Sequence, residues 1–468
     1  MFVEINEVKG FIVNIDGFLR VDDKIPFRKN LIWSEVNDSN LDKIKILPEF
    51  PQLLNKIGNF PFAVVSKLSS QVLSKILLNN KVSISSEIIF SAATDDDLQK
   101  SYLFTIPIAA ARDSMNLSSC ECVYITAEYE TIERALALHL GTMLYEYKSE
   151  DLTEKSEEYK SGPDFILDNM NDFDRINSKE FVGYLGEYIA CSPIMKKKAK
   201  GSKIQTVYLQ FLKIPHEALP AGTTVFVTGR YFPTGDARFQ KHPLSVKLVD
   251  SKQHPERHLA AFAKIMKAGI ETVVKDYDFI TCVPPKPSQP INRAKMILEH
   301  ISLFDDKFDK AKLAPNILKC IRDHTPQKSL HGYADRRENV KGAYVVDGDV
   351  KDKTIVLIDD IFTTGAILCE ITNILLRAGC KRVYPLAIAF TVKSKVINGT
   401  AELICDKCGG KLGRRINPAD GDIFWGCSEY KKSKCKKTLR FEEGVDLLNQ
   451  QTGKKKPSLG TPGMDIEF

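Results

Sequence analysis

The segment TIVLIDDIFTTGAILCEITNILLRAGC, Thr354 to Cys380, decides the fold of the middle of the chain. It begins with a short apolar run that ends in two acids, Asp359 and Asp360, a pattern typical of a buried strand in a parallel sheet. After a Thr-Thr-Gly turn, apolar residues recur at helical spacing. Ligands of open parallel sheets bind beyond the carboxyl ends of the strands, so we expect a ligand site at this turn.

The residues of the turn suit two different parts of one ligand. Backbone N–H groups at the start of a helix bind phosphate, and Gly365 permits close approach of the backbone. Thr363 and Thr364 add hydroxyl donors, whereas carboxylates only accept hydrogen bonds and suit sugar hydroxyls or metal-bound water. A ligand with a ribose and a phosphate satisfies both. Paired acids that merely cap the helix are the alternative, which leaves one carboxylate at a cost beside an apolar strand.

The motif IVLIDDIFTTGA resembles the phosphoribosyl-diphosphate signature of type I phosphoribosyltransferases. The resemblance implies that the acids hold the ribose hydroxyls and that the turn holds the 5′-phosphate. The residues that match the signature, and that would bind phosphoribosyl diphosphate, are Asp359, Asp360, Thr363, Thr364, Gly365 and Ala366. Ile367 departs from the pattern, because Thr, Ser or a small residue is common there.

Two flanking segments narrow the resemblance. QKSLHGYADRRENVKGAYVV (residues 327–346) and DFITCVPPKP (residues 278–287) are similar to segments of the competence protein F (ComF) family. The family implies that magnesium diphosphate leaves the anomeric carbon of the ribose. Lys286 and either Arg336 or Arg337 would then bind the diphosphate, and a loop at residues 332–340 would close over it. A solvated basic loop is the alternative, and no residue identifies an acceptor.

The N-terminal stretch FIVNIDGFL, residues 11–19, resembles the start of haloacid-dehalogenase-type (HAD-like) hydrolases. The nucleophilic Asp of that family is Asn14 here, and an amide cannot form an aspartyl-phosphate intermediate. Ala127 and Thr131 stand where the family has metal-binding acids. We therefore expect an inactive HAD-like domain, a scaffold or ligand sensor, rather than a phosphatase. Its degenerate site comprises Asn14, Asp16, Ser66, Lys100 and Ala127.

Four of the 11 cysteines form a cluster near the C-terminus. The C-x-x-C pair with a following Gly-Gly makes a knuckle that points both thiolates at one ion, and a second pair completes a structural zinc site. In a domain of this size, metal binding supplies much of the folding energy. The predicted ligands are Cys405, Cys408, Cys427 and Cys435.

The segment FWGCSEYKKSKC, residues 424–435, is similar to the zinc ribbon of bacterial type I topoisomerases. Aromatic residues interleaved with cations suit single-stranded DNA. The expected contacts are Phe424, Trp425, Tyr430, Lys431, Lys432, Arg414 and Arg415. The alternative is a ribbon that docks protein and keeps its aromatic residues as a small core.

Length and composition indicate a soluble protein of several domains. The 468 residues are 43% hydrophobic and 27% charged, and the net charge of +6 is too small to require a nucleic-acid or membrane partner. The N-terminus lacks a basic region before an apolar core, so we expect a cytoplasmic location and no membrane contact. The tail ends GMDIEF and could bind a protein partner.

These patterns predict an α/β multidomain chain. Its units are an HAD-like α/β domain at 1–148, a polar linker at 149–164, a small β-rich module of unassigned role at 165–254, a phosphoribosyltransferase-type parallel sheet with flanking helices at 255–398, a zinc ribbon at 400–446 and a disordered tail at 447–468.

Two functions compete at this point. The first is an accessory protein of DNA processing or DNA uptake, in which the central domain binds phosphoribosyl diphosphate or a nucleotide and the ribbon binds single-stranded DNA. The second is salvage-type phosphoribosyl transfer to a small base or amine, with a purely structural ribbon. Both require zinc, and magnesium accompanies the diphosphate.

Overall fold

The computed structural model describes most of the chain. The described residues are 3–4, 7–21, 41–91, 105–138, 140–146, 158–177, 181–198, 207–234, 236, 238–239, 242–289, 292–303, 309–325, 330, 332–392, 403–416, 423–430, 434–440 and 443. Within them the expected α/β architecture with parallel sheets is confirmed. Lys431, Lys432, Lys100 and the tail at 447–468 lie outside the described residues.

The N-terminal unit is built on a six-stranded parallel sheet in the order β6-β5-β2-β7-β8-β9. The strands are apolar because helices cover both faces of the sheet. They span β2 Gly10–Asn14, β5 Phe62–Ser66, β6 Ile89–Ser91, β7 Cys122–Thr126, β8 Gly141–Tyr145 and β9 Phe165–Leu167. The helices span Glu49–Ile57, Ser70–Asn79, Thr105–Ser114, Tyr129–Ala137 and Asn171–Asn177.

The central sheet has the order β12-β13-β19-β18-β15, with β14 also paired to β19. All pairs are parallel except β12 with β13. Its strands are β12 Leu212–Pro215, β13 Thr224–Val227, β14 Arg230–Tyr231, β15 Phe279–Cys282, β18 Thr354–Phe362 and β19 Arg382–Thr391. The helices of this part are Leu185–Lys198, Pro243–Asp250, Leu259–Val273, Arg293–Ile301, Gly332–Val340 and Ala366–Arg377.

Smaller sheets complete the fold. One is β1-β10-β11, and two are the antiparallel pairs β3-β4 and β16-β17. The cysteine-rich part is an antiparallel sheet in the order β20-β21-β22-β23. These strands are β1 Val3–Glu4, β3 Leu19–Val21, β4 Ile44–Ile46, β10 Phe181–Tyr184, β11 Val207–Gln210, β16 Leu318–Cys320, β17 Tyr344–Val346, β20 Leu403–Ile404, β21 Lys411–Ile416, β22 Ile423–Cys427 and β23 Thr438–Arg440.

The separate β-rich module predicted for 165–254 is not present in this form. Its strand β9 extends the N-terminal sheet, whereas β12, β13 and β14 join the central sheet, which therefore begins well before residue 255. The segment also contains two helices. A local alternating pattern predicts a strand but not its partner, because pairing is set by long-range contacts.

A buried ion network joins the two large sheets. Arg230 of β14 is fully buried, and its guanidinium donates to Glu187 at 2.7 and 2.8 Å and to the Gly162 carbonyl at 2.9 Å. The same guanidinium pairs with Asp164 at 2.8 Å, and Asp164 accepts hydrogen bonds from Thr142 of β8. The end of the predicted polar linker is therefore buried, and breaking this network by removing one partner would leave an uncompensated charge.

Candidate functional site

Asp359 and Asp360 lie at the carboxyl end of β18, as the apolar run before them predicts. Both residues are partly buried. Each carboxylate accepts the N–H of the following residue, at 2.8 Å for Asp359 and 2.6 Å for Asp360. Arg293, the first residue of its helix, forms an ion pair with Asp360 in which the side chains are 19% and 18% exposed. This end of the strand therefore keeps accessible acceptors.

The two acids repel one another in a partly dry setting. Burial, together with the adjacent Asp360 carboxylate, raises the pKa of Asp359 well above its usual range. Arg293 offsets part of this repulsion because its positive charge lies against Asp360. A ligand hydroxyl or a cation at this point would relieve the same repulsion.

The turn after β18 has the geometry of an anion site. Gly365 has a φ of +81°, and a Cβ on it would lie 2.6 Å from the Phe362 ring, so only glycine fits. The helix Ala366–Arg377 begins directly after it and presents its positive dipole end. Thr363 is exposed, and its hydroxyl lies 3.2 Å from that of Thr391.

Sequence reasoning missed two residues of this site, Arg293 and His216. Nε2 of His216, at the end of β12, lies 2.9 Å from the Thr364 carbonyl and so fixes the turn from a position 148 residues away. Arg293 also donates to the Leu248 carbonyl and to Ser251 Oγ, both at 2.9 Å. No local pattern identifies either residue, because each acts through a contact that only the folded chain makes.

The predicted diphosphate residues are not brought together at the acids. Lys286 Nζ donates to the His324 carbonyl at 2.7 Å, and Arg336 donates to the Leu330 carbonyl at 3.3 Å. Arg337 lines a cavity beside the helix Ala366–Arg377. The expected loop at 332–340 is a helix in the structure. The ring of Tyr333 in this helix packs against His216, with the two ring centroids 4.7 Å apart, so the segment has a defined tertiary contact.

The N-terminal site is a closed hydrogen-bond network around Asn14. The amide of Asn14 donates to Thr126 Oγ1 and to Glu128 Oε2, each at 3.1 Å, and its oxygen accepts the N–H of Asp16. Asp16 accepts from the Ser66 hydroxyl and, at 2.7 Å, from the N–H of Lys67. Asn14, Asp16 and Ser66 have no exposed surface. The predicted Asn14, Asp16 and Ser66 therefore do lie together.

Two charged residues of this network were missed. Ala127 is buried and carries no acid, but the neighbouring Glu128 places its carboxylate in the network. Lys67 Nζ binds both oxygens of Glu128, at 2.9 and 2.8 Å. An internal ammonium thus neutralises the acid. Both residues are adjacent in sequence to predicted positions, which is the signal that would have found them.

Charge and burial set the protonation of this network. Burial and the nearby Glu128 carboxylate raise the pKa of Asp16 to about 7. Burial opposes the charge of Lys67, but Glu128 and Asp16 outweigh it and raise the pKa of the ammonium. The network contains no nucleophilic carboxylate at position 14, so it cannot form an acyl phosphate there.

The four predicted cysteine ligands converge. Their sulfur atoms all lie within 4.8 Å of one another, with Cys408 and Cys427 3.4 Å apart and Cys405 and Cys435 3.9 Å apart. Four thiolates around one point form the donor set of a structural zinc site. The group can therefore hold a metal such as zinc.

The aromatic residues of the ribbon divide into two kinds. Trp425 is only 2% exposed and belongs to one apolar cluster with Leu403 of the ribbon and Ile108 of the N-terminal unit. Its predicted stacking on a nucleic-acid base is contradicted, because the ring is already covered. Tyr430 is 59% exposed, and Phe424 is partly exposed. Arg414 and Arg415 lie on β21.

The fold and the sites define an α/β protein with parallel sheets and a four-cysteine cluster. Among the described residues, no helix combines the length and apolarity that crossing a bilayer requires. No family model matches the chain. A curated ribose-phosphate pyrophosphokinase from Prochlorococcus marinus subsp. pastoris is 41% identical over 49 residues, which cover 10% of this chain and 15% of that protein.

Two of the solved structures that match part of the chain are named for the haloacid dehalogenase family. A HAD family hydrolase from Deinococcus radiodurans is 11% identical and covers 36% of this chain and 93% of its own, with a TM-score of 0.27. A haloacid dehalogenase-like protein from Agrobacterium tumefaciens is 15% identical over 36% of this chain and 97% of its own, with a TM-score of 0.26.

Proposed function

We propose that the central sheet binds phosphoribosyl diphosphate or a nucleotide at the end of β18. One observation carries the proposal: two carboxylates and a left-handed glycine turn meet at the same strand end, with a helix N-terminus behind them. Asp359 and Asp360 accept from ribose hydroxyls, and the backbone of residues 363–366 donates to the 5′-phosphate. The name of the curated relative, a ribose-phosphate pyrophosphokinase, supports this ligand class.

The residues at the strand end also fit magnesium, which prefers carboxylate oxygens and usually binds together with substrate phosphates. Asp359 and Asp360 would hold it near the diphosphate, where it would neutralise the charge of the leaving group. Arg293 holds Asp360 in place. Lys286 and Arg336 approach the diphosphate only if their present hydrogen bonds change, and Arg337 lies in the lining of a separate cavity.

The test is calorimetric titration of the full-length, zinc-loaded protein with phosphoribosyl diphosphate and magnesium. Each lost charge-assisted contact is worth about 1.5–3 kcal/mol, so Asp359→Asn with Asp360→Asn should weaken binding at least about tenfold. Asp347→Asn with Asp349→Asn removes two exposed acids of the same unit and should leave the affinity unchanged. Equal affinity of wild type and the 359/360 variant would exclude the strand end as the site.

The same preparation separates binding from transfer. A phosphoribosyltransferase releases diphosphate when a base or amine is added, and this release should disappear in the 359/360 variant. Ligand binding without any diphosphate release across a panel of bases and amines would instead identify a nucleotide sensor. A phosphatase would release phosphate, and this release would survive both substitutions. The amide at Asn14 argues against a phosphatase, because it cannot form an aspartyl-phosphate intermediate.

A second candidate function rests on the exposed Tyr430. The exposed ring can stack on a base, and the sequence after it supplies lysines for phosphate contacts, so the ribbon would bind single-stranded DNA in an accessory role in DNA processing or uptake. Such binding must weaken steeply with salt. Tyr430→Ala should reduce it, and Tyr188→Ala, far from the ribbon in sequence, should not. Salt-independent or undetectable affinity leaves the ribbon a purely structural role.

A further inference from the structure

A cavity lies between two helices of the central part, outside the acids of β18. It has a volume of about 470 Å³ and is lined by residues of the helices Ala366–Arg377 and Gly332–Val340, together with Ala218 and Pro220. Ligand pockets commonly enclose about 300–1,000 Å³. The lining residues that matter for recognition are Tyr333, Arg337, Lys341, Glu370 and Arg377.

Positive charge predominates in this cavity. Arg337, Lys341 and Arg377 face one acid, Glu370, whose carboxylate already accepts the Gly342 N–H at 3.3 Å. The Nε of Arg377 donates to the Asn373 carbonyl at 3.2 Å, which leaves its two terminal nitrogens for a ligand. Lys341 makes a loose pair with Glu338 at 3.4 Å in which both side chains are well exposed, so an anion can displace it cheaply.

The lining of the cavity also includes apolar and aromatic side chains. Cys369 is buried, and Leu376 and Tyr333 are partly buried. Burial raises the pKa of Tyr333 to about 12, so the ring is neutral at physiological pH. A flat ring beside a cationic group suits a ligand that has both an aromatic base and an anionic part.

The cavity is separate from the proposed phosphoribosyl site but connected to it. Ala366 belongs to both, whereas Arg377 ends the helix, which at 12 residues is about 18 Å long. Tyr333 contacts His216, and His216 contacts the carbonyl of Thr364 in the turn. A ligand in the cavity would therefore act on the turn through a chain of contacts that runs from Tyr333 to His216 and from His216 to Thr364.

We propose that this cavity binds a nucleoside diphosphate as a second, regulatory ligand. The base stacks on Tyr333, and the diphosphate pairs with Arg337, Lys341 and Arg377. This goes beyond the proposed function, because the site exists whether or not the end of β18 binds phosphoribosyl diphosphate. The Tyr333–His216 contact predicts that each ligand changes the affinity for the other by the same factor.

The experiment is calorimetry of the full-length, zinc-loaded protein with ADP, GDP and inorganic diphosphate. The expected result is nucleoside-diphosphate binding that persists in Asp359→Asn with Asp360→Asn and falls at least tenfold in Lys341→Glu with Arg377→Glu. Lys381→Glu reverses an exposed charge close to the cavity in sequence and serves as the matched control. These changes lie on exposed side chains, so circular dichroism should show an unchanged fold.

Three results overturn the proposal. The first is absence of ADP and GDP binding in the wild type. The second is loss of binding in the 359/360 variant together with its retention in the 341/377 variant. The third is binding of inorganic diphosphate as tightly as the nucleotides, which would remove the role of Tyr333. None of these results depends on phosphoribosyl diphosphate, so failure of the cavity proposal can be distinguished from failure of the proposed phosphoribosyl site.

Discussion

The N-terminal and central sheets both carry acids at a strand end, yet the two clusters differ in what satisfies them. Asp16 has no exposed surface, and it lies in a network that Lys67, Ser66 and the amide of Asn14 complete. Asp359 and Asp360 are partly exposed, and Arg293 pairs with only one of them. An acid at a strand end is therefore not enough to indicate a ligand site, since the protein can neutralise it internally.

The cysteine-rich ribbon packs on the N-terminal unit. Its Leu403 and Trp425 share one buried cluster with Ile108 and Tyr124 of that unit. The clusters around β18 and β19 contain no residue of the ribbon, although Ile166 of β9 belongs to one of them. Loss of the ribbon should therefore affect the two sheets unequally.

Removal of the metal should have the largest effect. Structural zinc contributes about 10–16 kcal/mol in zinc-finger peptides, so chelation should unfold the ribbon and uncover part of the N-terminal cluster. Hydrogen exchange should then rise in residues 403–440 and 105–138 and stay unchanged in 354–391. Cys427→Ser should reproduce the effect and Cys120→Ser, an exposed thiol outside the cluster, should not. Equal loss of protection in both sheets would contradict the unequal coupling.

Truncation of the buried ribbon aromatic comes next. Trp425→Ala should lower the free energy of unfolding of the ribbon by about 3–5 kcal/mol, as expected for a buried Trp. Tyr430→Ala, at an exposed position, should change it by less than about 0.5 kcal/mol. Metal-release rates measured with a chelator report both. A faster release in the Tyr430 variant than in the Trp425 variant would reverse our assignment of core and surface.

An isosteric pair of substitutions compares the two acidic clusters directly. Asp16→Asn should destabilise the protein by about 1–3 kcal/mol, because an amide group then faces the Ser66 hydroxyl or the Lys67 N–H in place of an acceptor oxygen. Asp359→Asn keeps its acceptor for the N–H of Asp360 and removes a repelling charge, so it should be neutral or stabilising. Urea unfolding measures both, and equal losses would mean that the central site is also a closed network.

The last prediction concerns pH. The pKa of Asp16 is about 7 in the folded protein and near 4 when unfolded, so the folded state retains a proton that the unfolded state releases. Its contribution to stability is complete below about pH 4 and is lost as the pH rises towards 7. Asp359 adds to the same trend, since its pKa is also raised. Asp16→Asn should flatten the dependence of the urea midpoint, and an unchanged slope would show that Asp16 is ionised throughout.

Sequence patterns predicted local structure better than partners. The strand and helix on either side of the Thr-Thr-Gly turn and the convergence of four cysteines are both present. The β-type runs of 165–254 are strands as well, but β9 joins the N-terminal sheet and β12, β13 and β14 join the central sheet, while β10 and β11 pair with each other. The predicted role of Trp425 failed because exposure depends on what packs against the ribbon, which composition does not show.

The sequence by itself determined where acids, glycine turn and cysteines lie, because each follows from short-range rules of strand burial, left-handed backbone and ligand spacing. Only the tertiary structure decided which of these acids remain accessible to a ligand. Lys67 closes the N-terminal cluster, whereas Arg293 and His216 support the central one from distant segments. Solvation and counter-charge arise from residues that are remote in the chain, so they become definite only when the chain is folded.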